Sequence, residues 1–241
     1  MKSLFLSLIL AFNSLLFAAS DTLTIGLAAA YPPFESRDEK SGQIVGFDID
    51  LAHALGEKLG KKIIIKDAEW QALLGGLKSG QYDIILSAMS KQEAGADNAN
   101  FSDPYYELTD VIVTRKDDER ITKPEDLKGK VVGVQLGSGS EQVVDKLEGL
   151  KSVSRYNYNP EAFLDLKHKR IDAVVVGYAY ALTQKDFANQ YKLAGQLAVV
   201  ELVIVMKKGQ DELTAQINQA LASVKADGTY DKLVQKWLQV K

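Results

Sequence analysis

Apolar residues along this chain follow two periodicities that take turns. Short aliphatic, often β-branched runs at residues 23–27, 62–66, 83–87, 110–114, 131–134, 153–156, 173–176 and 200–206 read as strands. Between them, residues 50–59, 70–79, 140–147, 160–169, 212–227 and 230–240 carry apolar positions at helical spacing. In the first of these, Leu51, Leu55 and Leu59 fall on one face. Gly60, Gly80 and the pair Gly228-Thr229 stand where helices have to stop. Strands alternating with helices predict an α/β fold, a sheet covered by helices on both faces.

The first residues have a different character. Met1-Lys2 precedes an apolar run from Leu4 to Ala19 that is interrupted by Ser7, Asn13 and Ser14 and ends in Ala18-Ala19-Ser20. One positive charge, a short apolar core and small residues form the three parts of a secretory signal peptide, expected over residues 1–19. The run is too short and too interrupted for a membrane span, which needs about 20 apolar residues. The chain contains no cysteine, so no thiol is present for a lipid anchor, and a free soluble exported protein is expected. The net charge is −3, which argues against nucleic acid as a partner. The 241 residues suffice for two lobes.

Four local stretches, the first of them in two parts, add chemistry. Tyr31-Pro32-Pro33-Phe34-Glu35 is followed by Gly46-Phe47-Asp48-Ile49-Asp50-Leu51-Ala52. Asn100-Phe101-Ser102-Asp103-Pro104-Tyr105-Tyr106, the run from Asp126 to Val134, and Asp227-Gly228-Thr229-Tyr230-Asp231-Lys232 come later in that order. Together they resemble the bacterial periplasmic amino-acid-binding proteins, the extracellular solute-binding family 3 that feeds ABC importers. The resemblance implies a two-lobed periplasmic-binding-protein fold of type II. Lobe one would comprise 22–108 plus 205–241 and lobe two 113–199, with hinges near 109–112 and 200–204. It further implies a monomeric periplasmic receptor, not an enzyme, that binds an amino-acid-like small molecule and docks on the importer's membrane subunits. No cofactor and no metal are implied.

Several residues are candidates for ligand contact. Tyr31 has the shape for a wall that is apolar on its face and wet at its tip, and Trp70 for the opposite wall. Ser87-Ala88-Met89-Ser90 follows a strand, at the carboxyl end where α/β folds place ligands. Gln135, Ser138, Gly139 and Ser140 belong to a strand, a Gly/Ser loop and a helix start, whose free N–H groups suit an anion. In the family such a loop holds the ligand's α-carboxylate. Phe34 is assigned to the core, and Asp48 to a helix cap.

The chain departs from the family at three positions. Ala28 and Gly177 stand where acidic residues grip the ligand amine, and Gly95 where an arginine takes its carboxylate. A charged hydrogen bond contributes about 1.5–3 kcal/mol, so the departures matter. Small residues at all three would enlarge the cavity. Two alternatives follow: a retuned or binding-dead scaffold or sensor with a non-zwitterionic ligand, and a dehydratase of prephenate-like acids on the same fold. The second is disfavoured by Gly95 and by histidines only at His53 and His168, both at surface-like positions.

Overall fold

The computed structural model describes residues 21–239, so the expected signal peptide lies outside the described residues. Two five-stranded sheets organise the chain. In the first, Thr22–Leu27 pairs in parallel with Lys62–Asp67 on one side and Ile84–Ile85 on the other, and Val205–Lys207 joins antiparallel between Ile84–Ile85 and Ala99–Phe101. The second has the order Ser152–Tyr156, Val131–Gln135, Ala173–Gly177, Tyr106–Arg115 and Tyr191–Leu202. A small three-stranded sheet carries Tyr31 on Ala30–Tyr31.

Both large sheets are covered on both faces, which explains their apolar runs. In the second sheet Val174 and Val176 enter one cluster with Phe163 and Leu166, while Ala173 and Val175 point the other way to Val132, Val144 and Leu127. In the first sheet, Leu23 and Ile25 pack under the helices Phe47–Leu59 and Asp211–Ala226 through Leu51, Leu55, Ile217 and Leu221. The opposite face is filled by Leu73, Leu77, Tyr82 and Ile85. Gly60 and Gly80 close their helices in the left-handed conformation, where a Cβ is costly.

Two readings require correction. The apolar stretch 200–206 is not one strand: Tyr191–Leu202 ends in the second sheet, Val203 and Ile204 bridge, and Val205–Lys207 belongs to the first. Asp48 does not cap a helix. The helix begins at Phe47 with Gly46 as its cap residue, and Asp48 sits inside the first turn, fully buried. The chain passes between the two large sheets after Phe101 and again at Val203 and Ile204, beside the end of the second sheet where Tyr106–Arg115 runs antiparallel to Tyr191–Leu202, with Tyr106 opposite Leu202 and Arg115 opposite Tyr191.

Candidate functional site

The carboxyl ends of strands from both sheets converge on one cavity of about 50 Å³. Ala28 follows Thr22–Leu27, Ser87 follows Ile84–Ile85, and Gln135 ends its own strand. Of the predicted contacts, Tyr31, Trp70, Ser87, Ala88, Gln135, Ser138, Gly139 and Ser140 line this cavity. Met89 does not: its side chain is buried with Leu73, Leu77 and Val203, because it points to the core face of the loop. Ser90 does not either; its hydroxyl caps the short helix Lys91–Ala94.

On the first-sheet side the walls are aromatic. Tyr31 stacks on Tyr180 with ring centres 4.8 Å apart and planes within 13°. Trp70 donates its indole N–H to the Gly137 carbonyl across the cavity at 3.2 Å. Beneath Tyr31 lies a buried polar network. The Ser87 hydroxyl accepts from the Ala28 N–H at 3.0 Å and donates to Glu35 Oε1 at 2.8 Å. Asp48 Oδ2 accepts from the Ala88 N–H at 2.8 Å and from the Tyr105 hydroxyl at 3.0 Å. Burial and the charge of Asp48 push the Glu35 carboxyl well above its usual range. Burial also raises Asp48 to about 7, against the lowering effect of its donors. Glu35 Oε2 and Asp48 Oδ1 have no other partner, and a proton held by Glu35 and given to Asp48 satisfies both.

On the second-sheet side, Ser138 caps the helix Gly139–Val144 and donates to the Gln135 carbonyl at 2.7 Å. Gln135 Oε1 accepts from Asn159 at 2.7 Å. The Ser140 hydroxyl donates to Asp110 Oδ1 at 2.7 Å. Asp110 is 2% exposed, lines the cavity, and has no partner for Oδ2. Burial raises its carboxyl, partly offset by Ser140. The Gly139 N–H, at the expected anion cradle, donates to Glu93 Oε1 at 2.6 Å. Glu93 Oε2 accepts from the Ser90 N–H at 2.6 Å. Burial raises Glu93, and the charge of Asp110 adds to it. Burial, then Asp110 and Glu93, keep the Tyr31 hydroxyl well above its usual range.

The three departures do not enlarge the cavity together. Ala28 lines it. At Gly177 a Cβ would stand 2.4 Å from the Tyr31 hydroxyl and 2.9 Å from Leu108, so Tyr31 already fills that space. Gly95 does not line the cavity; it ends the short helix at φ 76°, where a Cβ would meet Asn98 at 3.0 Å. Asp110 and Glu93 escaped the sequence reading. The signal for Asp110 was present: a carboxylate interrupts the apolar strand between Leu108 and Val111. Glu93 had only the pattern Ser90-x-x-Glu93, which reads as a capping box and is one.

Comparison with known proteins agrees with this geometry. The family described as bacterial extracellular solute-binding proteins, family 3, matches residues 23–240. The ABC transporter arginine-binding protein 1 of Escherichia coli K12 is 34% identical, over 98% of this chain and 99% of its own length. Among solved structures, an ancestral arginine-binding protein bound to arginine superposes with a TM-score of 0.84 at 42% identity, covering 91% of this chain and 99% of that one. An ancestral amino-acid-binding protein, described as a precursor of cyclohexadienyl dehydratase, gives a TM-score of 0.83 at 36% identity over 91% of this chain and 96% of its own.

Proposed function

The chain belongs to the bacterial extracellular solute-binding proteins, family 3, and from that premise we propose that it is a receptor that captures an amino acid or a related small solute for an ABC importer. The observation that carries this reading is convergence. Tyr31, Trp70 and Ser87 from one sheet, and Gln135 and Ser138 to Ser140 from the other, line a single cavity. Residues 22–108 with 205–241 form one lobe and 113–199 the other, with hinges near 109–112 and 200–204. The antiparallel pairing of Tyr106–Arg115 with Tyr191–Leu202 supports that division, since both crossings run side by side. Closure traps the solute between the lobes without chemistry. The receptor acts as a monomer in the periplasm, exported by the signal at 1–19 and not lipid-anchored.

A thermal-shift screen of the twenty amino acids, small organic acids and small amines tests this. A true ligand raises the melting temperature in proportion to the logarithm of its excess over Kd. A concentration-dependent rise for at least one compound is expected. No rise at millimolar concentration rejects the receptor reading in favour of an inert module, and product formation from prephenate replaces binding by dehydration.

A further inference from the structure

We propose that the cleft selects an organic cation without a carboxylate, a protonated amine or guanidine, because the protein's own Glu93 occupies the cradle that a ligand carboxylate would take. This rests on the receptor reading and names its ligand class. The Gly139 N–H, the donor offered by the Gly/Ser loop, is taken by Glu93 Oε1 at 2.6 Å. The other oxygen of Glu93 accepts from the Ser90 N–H at 2.6 Å, so the carboxylate is held at both ends. A ligand carboxylate would have to displace it and then lie beside it.

The second observation is independent of Glu93. Asp110 is 2% exposed and lines the cavity, with one oxygen held by Ser140 and the other, Oδ2, without a donor. A buried carboxylate oxygen with no donor is costly, and an N–H from a cation removes that cost. Among the described residues lining the cavity there is no lysine and no arginine. An incoming carboxylate therefore meets three carboxyl side chains, Glu35, Glu93 and Asp110, and no counter-charge, whereas an incoming cation finds acceptor oxygens among the same three. Trp70 and Tyr158 complete the lining with aromatic rings, which favour a cationic head over an anionic one.

The test uses matched pairs that differ only by the carboxylate: arginine against agmatine, and lysine against cadaverine, titrated calorimetrically into the purified protein at neutral pH. In at least one pair the decarboxylated member binds tenfold or more tightly than its parent. Asp110→Asn weakens that amine at least tenfold while the melting temperature of the unliganded protein stays within a few degrees. Glu93→Ala exposes the Gly139 N–H and shrinks the preference for the amine at least fivefold; Glu93→Gln, which keeps the shape, does so in the same direction. Parents that bind as well as or better than the amines overturn the inference, as does a preference that neither Glu93 variant moves. If a neutral or acidic amino acid binds and no amine does, the receptor reading stands and this inference falls. If nothing in either series binds, both fall.

Discussion

Two buried acidic sites lie within this molecule, one on each side of the cleft, and they are satisfied differently. On the first side Asp48 receives the Ala88 N–H and the Tyr105 hydroxyl, and its remaining oxygen faces a partner carboxyl, Glu35. On the second side Asp110 receives one hydroxyl, from Ser140, and Oδ2 receives nothing. Both are essentially inaccessible to solvent. A carboxyl whose donors all come from the protein holds the fold together, whereas one with an oxygen left over, at a cavity wall, is available to a ligand. The type of residue is the same; the count of donors separates structure from function.

That contrast can be broken most severely at Asp48. Asp48→Ala strands the Tyr105 hydroxyl proton and the Glu35 proton, leaves the Ala88 N–H with only the longer bond to the Tyr105 oxygen, and costs about 2–4 kcal/mol in urea denaturation. Asp110→Asn should change stability by less than about 1 kcal/mol, since it removes a poorly solvated charge. Equal losses for the two variants would erase the distinction.

Gly177 sharpens it from the other side. Gly177→Ala drives a methyl group into the Tyr31 hydroxyl and Leu108, at an expected cost of about 1–3 kcal/mol. Tyr31→Phe in the same chain removes the hydroxyl and restores at least half of that loss, measurable as a double-mutant cycle.

Acidity gives a third handle. The groups facing Asp48 are Glu35 and Tyr105, with Tyr230 further away. Folding raises Asp48 from the ordinary carboxylate value to about 7 and raises Glu35 too, so between about pH 4 and 7 the native state holds protons that the unfolded chain has lost. The Asp48 contribution is complete in acid and disappears as pH rises through about 7, with a slope of at most about 1.4 kcal/mol per pH unit for that proton, and Glu35 acts in the same direction. Asp48→Asn flattens that part of the stability–pH curve. A wild-type and variant curve of identical shape would show that the dyad does not titrate there.

The smallest effect concerns closure. Trp70→Phe keeps the wall but removes the 3.2 Å bond to the Gly137 carbonyl, for about 0.5–1.5 kcal/mol of closed-state preference. Small-angle scattering should report a slightly larger radius of gyration in the variant, and an unchanged radius would mean that the bond does not bias closure.

Much of the fold was legible because helices and strands announce themselves locally: the leucines spaced four apart after Phe47, the glycine stops, the β-branched strands. The stretch Leu202-Val203-Ile204-Val205-Met206 was not, since an unbroken apolar run carries no mark where the chain leaves one sheet for another; only the pairing of its partners, Tyr106 on one side and Phe101 on the other, shows the break. The edge strand from Tyr191 was hidden by its polar alternation and by Gly195, near which the ladder slips register. At the cavity, Tyr31, Trp70 and the Gly/Ser loop were found because a residue type at a loop position is a local property. Asp110 and Glu93 were missed because what they do depends on contacts with Ser140 and Gly139, 30 and 46 positions away along the chain. Gly177 misled for the same reason: a glycine shows what it lacks, and not which neighbour, here Tyr31, has moved in.

The four-residue helix Lys91–Ala94 owes its start to a side chain that also reaches across the cleft, since Glu93 holds the Ser90 amide with one oxygen and the Gly139 amide with the other. These two backbone protons are thereby wired in series. Any event that draws Glu93 aside releases both at once, so their nuclear magnetic resonance signals should travel together through a titration, a paired reporter of cleft occupancy that needs no attached dye.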